Sequence, residues 1–307
     1  MSFLRLLEGL RTPILDGFFS FITNFGDEIG FLVLALTVYW CVNKRYGYYI
    51  FMVGLSGTVL NQFLKLWFRI PRPWVLDPDF TIVESARAGA SGYSFPSGHT
   101  QNILCTAGGL SVCTRKKWVR ILCWTLAALV AFSRMYLGVH TPLDVGVSLG
   151  LAGLLLAAFY PVTRSEERLR RWMPWLLGGF LLLSCAYLLF VRGYAFPADV
   201  DAGNLASGTK NAYMLTGCAV GFIGIYLLDQ HWLRFQTKAP LPGQILKVAL
   251  GLGLMMLVRG GLKAPLNALF QNSGWATLVR YFLTVMIVGG LWPLSFPLFT
   301  RMGKQKQ

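Results

Sequence analysis

The chain has 307 residues, 55% hydrophobic and only 13% charged, with a formal net charge of +15 and a mean hydropathy of +0.53. Soluble domains carry about 25% charged residues, so the composition excludes an ordinary water-soluble globule and points to a membrane protein. In a soluble chain such a positive balance would suggest nucleic acid. Here the basic residues flank apolar runs, so membrane lipids are the expected contacts and no nucleic-acid partner is expected.

The first dozen residues include Arg5, Glu8 and Arg11, which interrupt the apolar core that a cleavable signal peptide needs. Ile14 to Phe25 is apolar, but Asp16, Asn24, Asp27 and Glu28 break it, which predicts an amphipathic helix lying at the membrane surface. Nine apolar segments are then read at 29–42, 47–65, 98–114, 118–138, 142–161, 173–191, 211–228, 244–262 and 276–299. A helix needs about 20 residues to cross a bilayer. The first segment is short and its start within 14–25 is open, so eight or nine spans are expected. The expected fold class is all-α, a polytopic transmembrane helix bundle. It forms a single integral membrane domain over 1–307, with a core at about 47–161 and additional transmembrane helices at about 173–299.

Basic residues orient the spans. With the loop after the first span in the cytoplasm, 16 of the 28 lysines and arginines fall on that side, Lys304 and Lys306 among them. Of the other 12, Lys65, Arg72 and Arg134 belong to the motifs described below. The N-terminus is therefore expected outside and the C-terminus inside. Trp118, Trp172, Trp175 and Trp232 then fall near the inner interface, and Trp67, Trp74 and Trp275 near the outer one. Cys41, Cys105, Cys113, Cys123, Cys185 and Cys218 all lie in or beside spans, form no Cys-x-x-Cys pair and read as packing residues. Gly146-x-x-x-Gly150 and Gly217-x-x-x-Gly221 suit close helix packing.

Three blocks carry chemistry, and this topology puts all of them on the outer face. Lys65 ends the second span, and Arg72 follows in the loop, its backbone stiffened by Pro71 and Pro73. Both are phosphate-binding types, a compact charge and a planar fork; taken alone they also read as span-end cations that snorkel. Pro96-Ser97-Gly98-His99 reads as a helix start. Ser97 is its cap, Gly98 allows close approach of a ligand, and free N–H groups face an anion beside His99. In the third block, Thr141 caps a helix with Pro142 at its first position, and Asp144 can reach back to His140. Arg134, after Ser133, lies in an apolar run, where an anionic ligand or an ion pair with Asp144 would offset its charge. Two of the three histidines fall in these blocks; the third, His231, reads as an interfacial loop residue on the cytoplasmic side. Glu84 and Arg87 read as a solvated loop pair, and Asp199 to Lys210 as a cover over the site or a linker.

Lys-x6-Arg-Pro, Pro-Ser-Gly-His and Ser-Arg-x5-His-x3-Asp together resemble the signature of the type 2 phosphatidic-acid phosphatase superfamily. That superfamily also includes bacterial acid phosphatases, glucose-6-phosphatase and vanadium haloperoxidases. The resemblance covers about 47–161. It implies that His140 is the nucleophile, Asp144 its orienting carboxylate and His99 the acid for the leaving group. Lys65, Arg72, Arg134, Ser97 and the Gly98 N–H are implied to hold the phosphoryl oxygens. No cofactor and no metal are expected, because side-chain cations would meet the phosphoryl charge.

The expected activity is hydrolysis of a lipid phosphate or diphosphate through phosphohistidine at the extracytoplasmic face of a bacterial plasma membrane. A lipid phosphotransferase and a sugar-phosphate phosphatase would use the same site. A vanadium haloperoxidase fits less well, since those enzymes are usually soluble. A transporter or lipid-binding scaffold would not need a nucleophile together with an acid.

Overall fold

A computed structural model describes residues 1–302, so Lys304 and Lys306 of the orientation argument lie outside the described residues. Among the described residues every regular element is helical. In chain order they are α1 (Ser2–Glu8), α2 (Pro13–Thr23), α3 (Glu28–Thr37), α4 (Lys44–Phe68), α5 (Pro73–Leu76), α6 (Gly98–Ile103), α7 (Gly109–Cys113) and α8 (Lys117–Tyr136). Then follow α9 (Pro142–Phe159), α10 (Glu166–Gly193), α11 (Ala202–Leu228), α12 (Leu241–Gly261), α13 (Lys263–Leu269), α14 (Gly274–Val285) and α15 (Phe296–Thr300).

The count of spans falls short of the eight or nine expected. Among the described residues, six helical stretches are long and apolar enough to cross a membrane: Lys117–Tyr136, Pro142–Thr163, Glu166–Gly193, Ala202–Leu233, Leu241–Leu269 and Gly274–Thr300. A seventh is counted if Pro13–Gly26 and Glu28–Val42, bent by 50°, cross as one. Segment 47–65 lies in α4, which is long enough, but Ser56, Asn61, Gln62 and Lys65 dilute its apolar character. Segment 98–114 is short for a span and is divided by a π turn at Leu104–Gly108.

The chain forms two compact units. The first comprises Met1–Leu34, Tyr49–Pro161 and Ala195–Gly208, and it holds all three blocks. Here α2 lies along α8, with the Phe19 ring against those of Phe132 and Tyr136 at 5.4 and 4.4 Å. The polar side of α2 faces inward: Tyr136 O–H donates to Asp16 at 2.8 Å, while Ile14, Phe18 and Phe21 are exposed. That arrangement suits a helix whose outer surface meets lipid rather than water.

Phe19, Ala86, Ala90, Tyr136, Leu137 and Val139 form one buried cluster, and Leu4, Phe80 and Ile82 a second. Together they pin α1, α2 and the loop after α5 to the end of α8. Gly138 makes the turn from α8 toward His140 at φ +81°, where a Cβ would meet Arg11 Nη2 at 2.6 Å and Phe80 Cε1 at 3.0 Å. Only glycine fits both the backbone and the space.

The second unit comprises Ala35–Tyr48, Val162–Tyr194 and the residues from Thr209 onward. Close packing of α11 on α14 depends on Gly217 and Gly221, whose Cβ atoms would lie 2.2 Å from Leu278 O and 2.8 Å from Val285 Cβ. Gly146 and Gly150 differ: a Cβ at either would meet nothing within 4 Å, so this pair makes no close helix contact. Within this unit Lys44 Nζ donates to the Asp229 carboxylate at 2.7 Å. His231, two residues on, is exposed, as a loop histidine would be.

All six cysteines are free; Cys105, Cys123 and Cys218 are buried and the other three half-buried. Trp67, Trp118, Trp172, Trp175, Trp232 and Trp275 are exposed, as aromatic belts require, while Trp74 packs on the buried clusters over the end of α8.

Candidate active site

Four helix ends bring the blocks together. Lys65 lies in the last turn of α4 and Arg134 in the last turn of α8. Ser97 caps α6, accepting from Thr100 N at 3.4 Å and Thr100 Oγ1 at 2.9 Å. Thr141 caps α9 through a reciprocal pair: Asp144 N donates to Thr141 Oγ1 at 3.3 Å and Thr141 N to Asp144 Oδ2 at 2.7 Å. Arg72 immediately precedes α5. Lys65 is 8% exposed, Arg72 6%, and Arg134, His140 and Asp144 1% each. Charges buried to this degree are tolerated only with partners or a ligand.

The tautomer of His140 follows from its neighbours. Arg72 Nη1 lies 2.9 Å from Nε2, and a guanidinium can only donate, so Nε2 carries a lone pair. The proton is then on Nδ1, which lies 3.4 Å from Asp144 Oδ2 and 3.5 Å from Ser94 Oγ. The carboxylate is itself fixed, because Ser94 Oγ donates to Oδ2 at 2.6 Å and Thr141 N to the same atom. A carboxylate held this way orients the ring and stabilises charge that develops on it. Burial holds the His140 imidazole well below its ordinary range, and the nearby Arg72, Arg134 and Lys65 cations add to the effect. Burial also pulls the Arg72 guanidinium down to about 10, against the favourable field of Asp144, and it stays a cation at neutral pH.

The sign of the pH effect follows. A nucleophilic His140 must be neutral, and its neutral form persists to below the ordinary imidazole pKa of about 6.5. The acid limb of kcat/KM that belongs to this ring is therefore expected well under that value, once ionisation of the substrate phosphate is separated by titration. A limb at or above 6.5 would contradict the assignment.

Arg72 touches Nε2, and the charges of Arg134 and Lys65 also act on the ring. Arg72 is clamped by carbonyls, donating from Nε to Gly92 O at 3.0 Å, from Nη2 to Ser91 O at 2.8 Å and from Nη1 to Val139 O at 2.8 Å. Lys65 Nζ donates to Tyr93 O and, at 3.5 Å, to Ser94 O. Arg134 Nη1 donates to Thr23 Oγ1 at 2.6 Å, but its Nε and Nη2 are buried with no partner among the described residues. No Arg134–Asp144 ion pair forms; the carboxylate is committed to Ser94, Thr141 and His140. Counting Lys65, Arg72, Arg134 and Asp144, the formal excess is two positive charges, which a phosphomonoester dianion would balance.

His99, in the first turn of α6, meets Asp27 Oδ1 through Nε2 at 2.8 Å. A Cβ on Gly98 would meet only Asn61 Oδ1 at 3.8 Å, so this turn is open to close approach. The structure thus adds Ser94, Thr23 and Asp27, which sequence reading missed. Ser94 was legible as a polar residue set between Tyr93 and Phe95 just before the second block. Asp27 is one of the polar positions that break the first apolar stretch and predict a surface helix, and Thr23 lies beside them; intramembrane polar residues also mark function.

Arg87 and Glu84 form an exposed ion pair at 2.7 Å. The 199–210 stretch joins the first unit through Asp201 N, which donates to Tyr93 Oη at 3.3 Å, and most of it is the start of α11. Among the described residues no group of three or more His, Cys, Asp or Glu side chains is arranged to hold a metal ion.

The PAP2 superfamily model matches residues 45–168, and a model for the transmembrane extension of PAP2 superfamily phosphatases matches 213–306. A lipid A 4'-phosphatase of Porphyromonas gingivalis is 33% identical over 52% of this chain and 72% of its own length. Phosphatidylglycerophosphatase B of Bacillus subtilis is 30% identical over 53% of this chain and 80% of its own. A probable sphingosine-1-phosphate phosphatase of Dictyostelium discoideum is 27% identical over 78% of this chain and 58% of its own. No solved structure matches the chain. Both family models and these relatives, together with its long apolar helices, make the chain an integral membrane member of the PAP2 superfamily.

Proposed function

We propose that the protein is a membrane phosphatase that hydrolyses a lipid phosphate or diphosphate at the extracytoplasmic headgroup level, by way of phosphohistidine and without a metal. One observation carries this reading: Nε2 of a buried His140 lies 2.9 Å from Arg72 Nη1, and three buried cations, Arg72, Arg134 and Lys65, act on the ring. In the first step Nε2 attacks phosphorus in line, the bond to the lipid oxygen breaks, and His99 gives its proton to that oxygen. In the second, water attacks phosphorus, its proton passes to His99, and the N–P bond breaks to release phosphate. Asp144 keeps the Nδ1 proton in place throughout and remains ionised. Lys65, Arg72, Arg134, Ser97 and the Gly98 N–H stabilise the equatorial oxygens.

The lipid class is supported by relatives named for lipid A, phosphatidylglycerophosphate, undecaprenyl diphosphate and sphingosine-1-phosphate. The extracytoplasmic setting is supported by the distribution of basic residues. The test is phosphate release by purified protein, with chelator present, from phosphatidate, phosphatidylglycerol phosphate, isoprenyl diphosphate and sphingoid-base phosphate. At least one is expected to be cleaved without added metal. Labelled phosphate is expected on the protein after acid-free quenching. Absence of release from every one of them would sink the reading.

A further inference from the structure

The second histidine of the site is held by a residue from outside the family core. Asp27 and Thr23 lie in the N-terminal segment, whereas the PAP2 superfamily model matches 45–168. Asp27 Oδ1 is 2.8 Å from His99 Nε2, and Thr23 Oγ1 accepts from Arg134 Nη1 at 2.6 Å. The segment reaches the site because residue 26 is glycine. A Cβ there would meet His99 O at 2.9 Å, His99 Cβ at 3.0 Å and Val130 Cγ1 at 3.0 Å. Further back, Arg11 fastens the segment to Tyr136 O at 3.1 Å and Thr81 O at 2.8 Å, and Asp16 accepts from Tyr136. Asp27 also stands at the break between the two halves of the bent helix pair. There its carboxylate is free of helix geometry and can turn to the imidazole.

We infer that Asp27 is the positioning residue of the leaving-group acid, so that the N-terminal helices complete the catalytic unit rather than merely anchor it. The inference rests on the phosphatase reading above. Its chemistry is specific. With Nε2–H committed to Asp27, the proton given to the leaving oxygen comes from Nδ1. His99 goes from imidazolium to neutral imidazole, Nε2–H stays on Asp27, and the carboxylate keeps its charge throughout. Burial holds the His99 imidazole below its ordinary range, and Arg134 of α8 and Arg72 before α5, the cations facing it, add to that. The Asp27 carboxylate opposes them and favours the protonated ring. The arrangement parallels Asp144 with His140: each imidazole has its own carboxylate, one from within the core and one from the N-terminal segment.

The experiment uses the full chain in detergent or nanodiscs, with a lipid of the panel above that the wild type cleaves as substrate. Asp27→Asn keeps the shape and removes the charge. It is expected to lower kcat by about 10–100-fold with KM changed by less than about threefold, since the acid acts only in the transition state. In a His99→Gln background, the same substitution is expected to change kcat by less than about twofold, because the group through which it acts is gone. Equal losses in both backgrounds would show a structural role and overturn the inference, as would wild-type kcat in Asp27→Asn. The two readings fail separately. If wild-type protein releases no phosphate from any of the four lipids, the functional reading has failed and the inference falls with it. If wild-type is active, His140→Ala is inactive and Asp27→Asn is unaffected, only the inference has failed.

Discussion

His140→Gln is expected to lower kcat by about 10⁴-fold and to abolish phosphate labelling of the protein. The argument starts from burial. The ring is 1% exposed and held by its neighbours, so its nitrogen has one fixed position from which to attack. Its Nε2 lone pair faces Arg72, and its Nδ1 proton faces a carboxylate with two other donors on the same oxygen. Glutamine retains polarity and much of the volume but cannot form the N–P bond. The loss should fall on kcat, because the cations that bind the phosphate remain. Folding is checked separately by the stabilisation that orthovanadate gives: a fold with its anion site intact still responds. A variant that retains labelled phosphate on another residue, or more than a tenth of wild-type kcat, would displace His140 from its role.

The second large effect is at Arg134, where activity and stability are expected to move in opposite directions. Its guanidinium is 1% exposed; one nitrogen donates to Thr23, and Nε and Nη2 have no partner among the described residues. Each unsatisfied buried donor costs about 1–3 kcal/mol in the folded protein. A phosphoryl group would satisfy both, and its charge would offset the excess of cations. Arg134→Met removes the donors while keeping an unbranched apolar stem. It is expected to lower kcat/KM by about 10²–10³-fold, the usual loss when a transition-state donor is removed. Without ligand, the variant is expected to unfold at a temperature equal to or above that of the wild type.

The anion response sharpens this test. Orthovanadate at 100 times its Kd stabilises a binding protein by about 2.7 kcal/mol. Wild-type protein should show that shift, and Arg134→Met should lose most of it at the same concentration. A destabilised variant with an unchanged vanadate response would mean that Arg134 serves the fold and not the phosphate.

Most of the site was legible because its code is local. Cap residues act over three positions, so Thr141 and Pro142 mark a helix start in the sequence, and Ser97 does the same for α6. Lys65, Arg72, His99, Arg134 and His140 sit at helix ends or in the loops beside them, where the topology of apolar runs brings them to one side of the first unit. The span count was less legible. Segment 47–65 is apolar enough on average to suggest a crossing, but Ser56, Asn61 and Lys65 of α4 are buried within the protein, so average hydropathy misstates its surroundings.

By itself, then, the sequence determined the all-helical class, the membrane setting and the chemical types of the reacting groups. Each of these is written in composition or in spacings shorter than a helical turn or two. Tertiary structure alone decided which nitrogen of His140 faces the cations, that Ser94 fastens Asp144, and that Asp27 and Thr23 reach His99 and Arg134. Those contacts join residues 50 to 111 positions apart in the chain. No local rule encodes such distances; they exist because α2 packs along α8 and glycine at 26 lets the backbone come within contact of His99.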